Sequence, residues 1–182
     1  RRGAATVVKP PFVDASPSLR GLDLAGALEE TGRLVRAVGA GLGAVIDNAA
    51  ERVWLIDENG VPIPPETTLL LLVRELSAAG SDGALLVPVT ETRMVEEVAA
   101  GNGIAVRRTK ASQSDLLATA AASDDVVFAG ASGGGYVFPD FLLAYDAVMS
   151  LGKILEIASR SDRTISELVH GLPESTLVHE EA

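Results

Sequence analysis

Apolar residues recur at helical spacing from Leu22 to Val38, at Leu24, Ala27, Leu28, Leu34, Val35 and Val38, which predicts a first helix ended by Gly39 and Gly41. Two short apolar runs follow, 42–46 and 52–57, and read as strands closed by a Glu-Asn-Gly turn at 58–60. Pro62, Pro64 and Pro65 form a rigid link, and the solid leucine run from Glu66 to Ala79 predicts a well-buried helix. Residues 5–8 read as a strand stopped by Pro10 and Pro11, and 14–20 as a Ser/Pro loop. Gly80-Ser81-Asp82-Gly83 reads as a boundary.

The second half repeats the alternation. Strands are expected at 84–89, 104–109, 126–130 and 136–138, the last closed by Pro139. Helices are expected from Glu91 to about Ala100 behind a Thr90 cap, from Ser112 to Ala122 behind a Ser112/Asp115 cap, from Leu142 to Ser159, and at 164–170 behind a Thr164/Glu167 capping box. Asn102-Gly103 reads as a turn and Gly133-Gly134-Gly135 as a loop. Strands alternating with helices predict an α/β fold: two small α/β/α sandwich domains with mixed sheets. The domains are placed at residues 1–79 and 80–173, with a charged tail at 174–182.

Composition narrows the function classes. Of 182 residues, 25 are acidic and 15 basic, a formal charge of −10. Such a chain cannot neutralise a phosphate backbone or dock on anionic lipid, so no nucleic-acid or membrane partner is expected. No apolar run approaches the roughly 20 residues that span a bilayer, and Arg1-Arg2 precedes no apolar core segment. The expected setting is therefore cytoplasmic. With no cysteine, disulfides and thiolate chemistry are excluded. Aromatics make up only 4%, so the cores must be aliphatic, and Trp54 is expected among them.

Candidate chemistry is sparse. His170 and His179 lack matched ligands, and no P-loop, Gly-x-Ser-x-Gly or dinucleotide fingerprint is present. Gly39-Ala-Gly-Leu-Gly43 follows a helix and precedes a strand, the reverse of a dinucleotide loop. Arg107, Arg108 and Lys110 are the one basic cluster, and Gly133–Gly135 could form an anion nest or a plain hairpin loop. Between the first two strands lies an acidic loop, Asp47-Asn-Ala-Ala-Glu-Arg52.

That loop resembles the metal loop of the α-D-phosphohexomutases, the phosphoglucomutase and phosphomannomutase family, which reads Asp-x-Asp-x-Asp-Arg and holds Mg²⁺. The likeness runs from about residue 13 to about 173. Val106-Arg-Arg-Thr109 is similar to a family strand reading Val-Val-Arg-Thr, and Gly130–Phe141 to the sugar-binding loop and the strand after it. Asp146–Leu168 is similar to the helix pair that closes the third domain. The resemblance implies the third and most of the second of four family domains, without the phosphoserine domain or the last, phosphate-clamping one.

Read residue by residue, the resemblance also implies losses. Asp47 and Glu51 remain in the metal loop, but Ala49 stands where the middle aspartate belongs. Ala131 replaces the sugar-binding glutamate, Gly133 a polar neighbour, and Ser114 the lysine near the reacting phosphate. The expectation is a degenerate metal loop (Asp47, Glu51, Arg52), no catalytic residue, and Mg²⁺ binding lost. A weak sugar-phosphate site is left at Arg108, Lys110, Ser132, Gly133 and Gly134, with Arg52 beside it. Similar degenerate regions follow mannose-1-phosphate guanylyltransferase-type nucleotidyltransferase domains in bacterial fusion proteins. The expected role is thus accessory or regulatory, with such a nucleotidyltransferase domain of the same parent chain as partner. The alternatives are a fragment of an active phosphomannomutase or phosphoglucomutase, and a free-standing interaction domain unrelated to sugars.

Overall fold

The structure, a computed structural model, describes residues 6–8, 23–80, 83–101 and 103–173. The expected tail, the loop at 14–20 and Asn102 lie outside the described residues. Among the described residues six helices and six strands follow in the order α1 (Leu24–Val38), β1 (Gly43–Ile46), β2 (Val53–Ile56), α2 (Pro65–Ala78), β3 (Ala84–Pro88), α3 (Met94–Ala100), β4 (Ala105–Thr109), α4 (Gln113–Ala121), β5 (Val126–Gly130), β6 (Tyr136–Val137), α5 (Ala147–Arg160) and α6 (Ile165–His170). The α/β class is as the periodicity predicts. Residues 6–8, expected as strand, carry no regular structure.

β1 and β2 form an antiparallel pair, with Val45 opposite Trp54, covered by α1. Val35, Val45 and Ile56 form its small core, and Trp54 packs against it half-buried. The second sheet is four-stranded and mixed, in the order β4-β3-β5-β6, with β4 and β5 parallel to β3 and β6 antiparallel to β5. Side chains on the central strand β3 alternate between faces. Leu86 packs with Leu116 and Ala120 of α4 on one side. Leu85 and Val87 face the cluster that holds α2, α3 and α6 on the other. The result is an α/β/α sandwich whose parallel strands end at a topological switch around β3, where open α/β sheets form crevices.

α2 packs against α3 and α6, elements on the far side of the expected boundary at residue 79. Five consecutive residues of α2, Leu69–Val73, are fully buried. They share one cluster with Leu85, Phe128 and Ile154, and Val53 and Leu55 of the hairpin reach the same core. Two helices start later than their patterns suggest. α3 begins at Met94, because residues 89–93 turn to meet Arg108. α5 begins at Ala147, behind an Asp146 cap whose carboxylate accepts from the Met149 amide at 2.8 Å. The residues before it turn back, with Phe138 bridged to Leu142. The Ser112 cap of α4 and the Thr164/Glu167 capping box of α6 are present as expected.

Glu58, in the turn after β2, reaches across to α6. Its carboxylate accepts from the Ser166 hydroxyl and from the Ser166 amide at 3.2 Å. Partial burial opposes ionisation, but hydrogen bonds from the Ser166 and Thr164 side chains and from the Ser166 amide outweigh it. The carboxyl titrates at about 2, down from 4.5. Because the folded value lies below the unfolded one, this contribution is whole above pH 4.5 and disappears as pH falls toward 2. Glu58→Gln is expected to lower stability near neutral pH by about 1 kcal/mol, the screened worth of a half-exposed charged hydrogen bond. It should also flatten the acid limb of a thermal unfolding series. An unchanged limb would show that the clasp adds nothing.

Tyr136 is fully buried between Phe128 and the main core, its ring stacked on Phe128 at 5.9 Å. Among the described residues its hydroxyl has no hydrogen-bond partner. Burial pushes the phenol far up, and the nearby charge of Glu91 adds to this. An unpartnered buried hydroxyl costs about 1–3 kcal/mol, so Tyr136→Phe should raise stability by about 1 kcal/mol in urea denaturation. A loss of stability would mean the hydroxyl is satisfied in solution.

Candidate functional site

The loops that leave β3, β4 and β5 all emerge at the carboxyl end of the sheet, and the loop between β1 and β2 reaches them from the side. Arg52 forms a bridge with Gly135, and the Val53 amide donates to the Gly134 carbonyl at 3.0 Å. The Ala147 amide donates to the Ala50 carbonyl at 2.9 Å, which ties the same loop to the start of α5. Gly134 has φ +85, and a Cβ there would lie 2.9 Å from the Val53 carbonyl oxygen, so only glycine fits this seam. The acidic loop and the glycine loop are thus one unit.

Between them lies a cleft of about 60 Å³ lined by Arg52, Ser112, Gln113, Ala131, Gly133, Gly135 and Tyr145. The Tyr145 ring lies over Gly135, and burial raises its phenol, with Arg52 opposing and Glu51 reinforcing the shift. This volume admits a few waters and falls far short of the roughly 300 Å³ of a small-molecule pocket.

The acidic loop is closed on itself. Asp47 Oδ1 accepts from the Glu51 amide at 2.8 Å and the Arg52 amide at 3.1 Å, and the Ala50 amide donates back to the Asp47 carbonyl. Ala50 sits at φ 56, a strained conformation for a residue with a Cβ. A Mg²⁺ ion requires several oxygens in octahedral array. Here one Asp47 oxygen already caps the backbone and Ala49 offers none. Among the described residues no three acidic or histidine side chains converge. The donor set does not fit the ion.

Of the expected anion ligands, the cleft gathers Arg52 and the glycine loop but not Arg108, which points to the other side of the turn after β3. All five of its N–H groups are spent inside the chain. Nε and one Nη2 hydrogen bond the Glu96 carboxylate at 2.7 and 2.6 Å. The rest bond the carbonyls of Pro88, Glu91 and Thr92 at 2.8–2.9 Å. The Arg108 hydrogen bonds hold the Glu96 carboxyl below its usual range. Its donors are thus engaged within the chain, and Arg108 does not line the cleft with Arg52. It lines a separate open hollow of about 620 Å³ with Glu91, Arg93, Glu96 and Glu97. Arg107 faces the opposite side of β4 and pairs with Asp125. Lys110 is exposed and does not line the cleft, and Ser132 donates to Glu91 at 3.2 Å.

Glu91, Gln113 and Tyr145 are site residues that the pattern did not single out. The position of Glu91 just past a strand's carboxyl end was an available signal. Tyr145 was hidden by the expectation that α5 began at Leu142.

The family model for phosphoglucomutase/phosphomannomutase, alpha/beta/alpha domain III, matches residues 64–176. The chain belongs to this family. A phosphoglucomutase/phosphomannomutase of Thermococcus kodakarensis is 33% identical over 141 residues, covering 78% of this chain and 31% of the relative. A phosphoglucosamine mutase of Clostridium botulinum is 28% identical over 138 residues, covering 75% of this chain and 31% of that protein. Among solved structures, a phosphoglucomutase/phosphomannomutase family protein from Burkholderia thailandensis superposes with a TM-score of 0.73 at 22% identity, covering 82% of this chain and 32% of that one. The chain therefore spans about a third of the length of these relatives. The match begins ahead of α2, in line with the packing of that helix. Among the described residues no helix is long and apolar enough to cross a membrane.

Proposed function

We propose that this chain is a phosphohexomutase-type module that has lost phosphoryl transfer and serves an accessory or regulatory role in a cytoplasmic sugar-nucleotide biosynthesis protein. The partner in this reading is a mannose-1-phosphate guanylyltransferase-type nucleotidyltransferase domain of the same parent chain. The observation that carries the loss is the acidic loop, in which Asp47 caps backbone amides and Ala49 supplies no ligand. Phosphoryl transfer rests on positioning and charge stabilisation, and Ala131 and Ser114 remove further groups that the family resemblance associates with them. No bound Mg²⁺ is proposed. Any sugar-phosphate contact would be weak and would fall to Arg52 and the amides of 132–134, with Lys110 reaching in from outside the cleft. The domain boundary is placed near residue 63, ahead of α2.

A second reading, a portion of a working phosphomannomutase or phosphoglucomutase, is favoured by the names of the relatives, which are mutases. A coupled assay of the longest natural polypeptide containing residues 1–182 separates the two. With mannose 1-phosphate or glucose 1-phosphate, Mg²⁺ and a bisphosphate activator, no turnover above a blank is expected, while GTP and mannose 1-phosphate should yield GDP-mannose. Mutase turnover abolished by Asp47→Ala would overturn the first reading.

A further inference from the structure

The turn after β3 and the loop after β5 are joined by a side-chain hydrogen bond, the Ser132 hydroxyl on the Glu91 carboxylate at 3.2 Å. Both partners are half-buried, and they are 41 residues apart in sequence. The turn has two backbone hydrogen bonds of its own, the Val89 amide on the Thr109 carbonyl at 2.9 Å and the Glu91 amide on the Pro88 carbonyl at 3.1 Å. Its side-chain support is Arg108, whose guanidinium takes the carbonyls of Pro88, Glu91 and Thr92 and is clamped in turn by Glu96. The glycine loop, by contrast, has few side chains with which to define itself. Gly133 has open space around it, and Gly134 needs a left-handed backbone. The loop's own backbone supplies the Gly134 amide on the Ala131 carbonyl at 3.3 Å and the Ala131 amide on the Gly135 carbonyl at 3.4 Å, and the rest of its positioning comes from outside.

We propose that Arg108 is a positioning residue for the candidate site: through Glu91 and Ser132 it holds the glycine loop against the hairpin loop, in register with Val53 and Arg52. The physical chain is continuous. Arg108 fixes the Glu91 backbone, which places the Glu91 carboxylate, which orients Ser132. Ser132 sets the approach of the Gly134 carbonyl to the Val53 amide, 3.0 Å away. The cleft beside Arg52 thus takes its shape from a guanidinium that never reaches it. This device concerns the position of the loop and stands whether or not a sugar phosphate binds there.

The test uses the full chain, by NMR and amide hydrogen exchange. Arg108→Lys keeps the charge but cannot fork to Glu96 and three carbonyls together. It should shift the amide resonances of Gly133, Gly134 and Gly135, none of which it touches, in the direction produced by Ser132→Ala. Either variant should speed exchange of the Val53 amide about three- to tenfold, the opening expected from losing one hydrogen bond. Ser132→Thr, which keeps the hydroxyl, should stay near wild type. The double variant should move the loop no further than Ser132→Ala alone. Glycine-loop resonances that ignore Arg108→Lys, or shifts that simply add in the double variant, would overturn the proposal. Ser132→Ala removes only a half-buried hydroxyl and leaves the core intact, so if Arg108→Lys loses the fold the Val53 exchange rate of Ser132→Ala decides, and a rate equal to wild type would overturn the proposal.

Discussion

Arg108→Leu is expected to lower the unfolding free energy by about 3 kcal/mol. The leucine fills part of the stem's volume but supplies none of the five N–H donors. Three carbonyls in the turn 88–92 lose the guanidinium, those of Pro88 and Thr92 keeping only the Glu91 and Val95 amides, and Glu96 loses the cation that holds its carboxyl down. Five bonds to charged and neutral acceptors would suggest a larger loss. However, the Glu96 side chain is 43% exposed, so water takes over much of its share. Pro88 is buried and has less such recourse. Urea denaturation measures the effect, and Arg108→Lys should recover only part of it, because an ammonium donates from one point where the guanidinium forks. A loss below about 1 kcal/mol would mean that the network exchanges freely with water.

The same residue shows where sequence reading stopped. The period of two in β4 already separates Arg107 from Arg108, one on each face of the sheet. What it cannot show is that three backbone carbonyls converge where Arg108 points. Those carbonyls exist only once the chain after β3 turns instead of entering a helix at Glu91. Thr90 and Glu91 carry good start signals, so local propensity and tertiary contact disagree there, and the half-buried guanidinium wins. The α5 start is a similar case. Phe141, Leu142 and Leu143 extend the apolar pattern but remain exposed, because Asp146 caps the helix further on. By contrast the hairpin, the α4 cap and the α6 capping box depend on neighbours within a few residues, and all are legible from the chain.

The candidate site was legible in its parts but not in its assembly. Asp47, Arg52 and the glycine run stood out by residue type, and the structure brings the last two together. That Asp47 spends an oxygen on its own loop depends on the backbone path through Ala50, which residue type does not reveal. Glu91 became relevant only when the loops of β3 and β5 proved to be neighbours at the switch point.

Gly130→Val should be as damaging as the loss of Arg108, for a steric reason. A Cβ at residue 130 would lie 2.7 Å from Phe128 Cζ and 2.8 Å from Tyr136 Cδ1. Both rings are fully buried, and Phe128 is further wedged edge-on against Phe138 at 5.5 Å, so neither can swing aside. Overpacking of this kind costs about 1–3 kcal/mol per site, and a branched side chain between two locked rings belongs at the upper end. Strand propensity favours valine over glycine by up to about 1 kcal/mol, which offsets part of the clash but not most of it. The net expectation is a loss of about 2–3 kcal/mol, with Gly130→Ala losing less. Gly133→Ala is the control, since nothing lies within 4 Å of a Cβ there and its φ is ordinary; it should fall within about 0.5 kcal/mol of wild type. Denaturation of the three variants side by side decides the matter. If Gly130→Val and Gly133→Ala lose equally little, the aromatic cluster yields more than its burial implies, and Gly130 is glycine for some reason other than space.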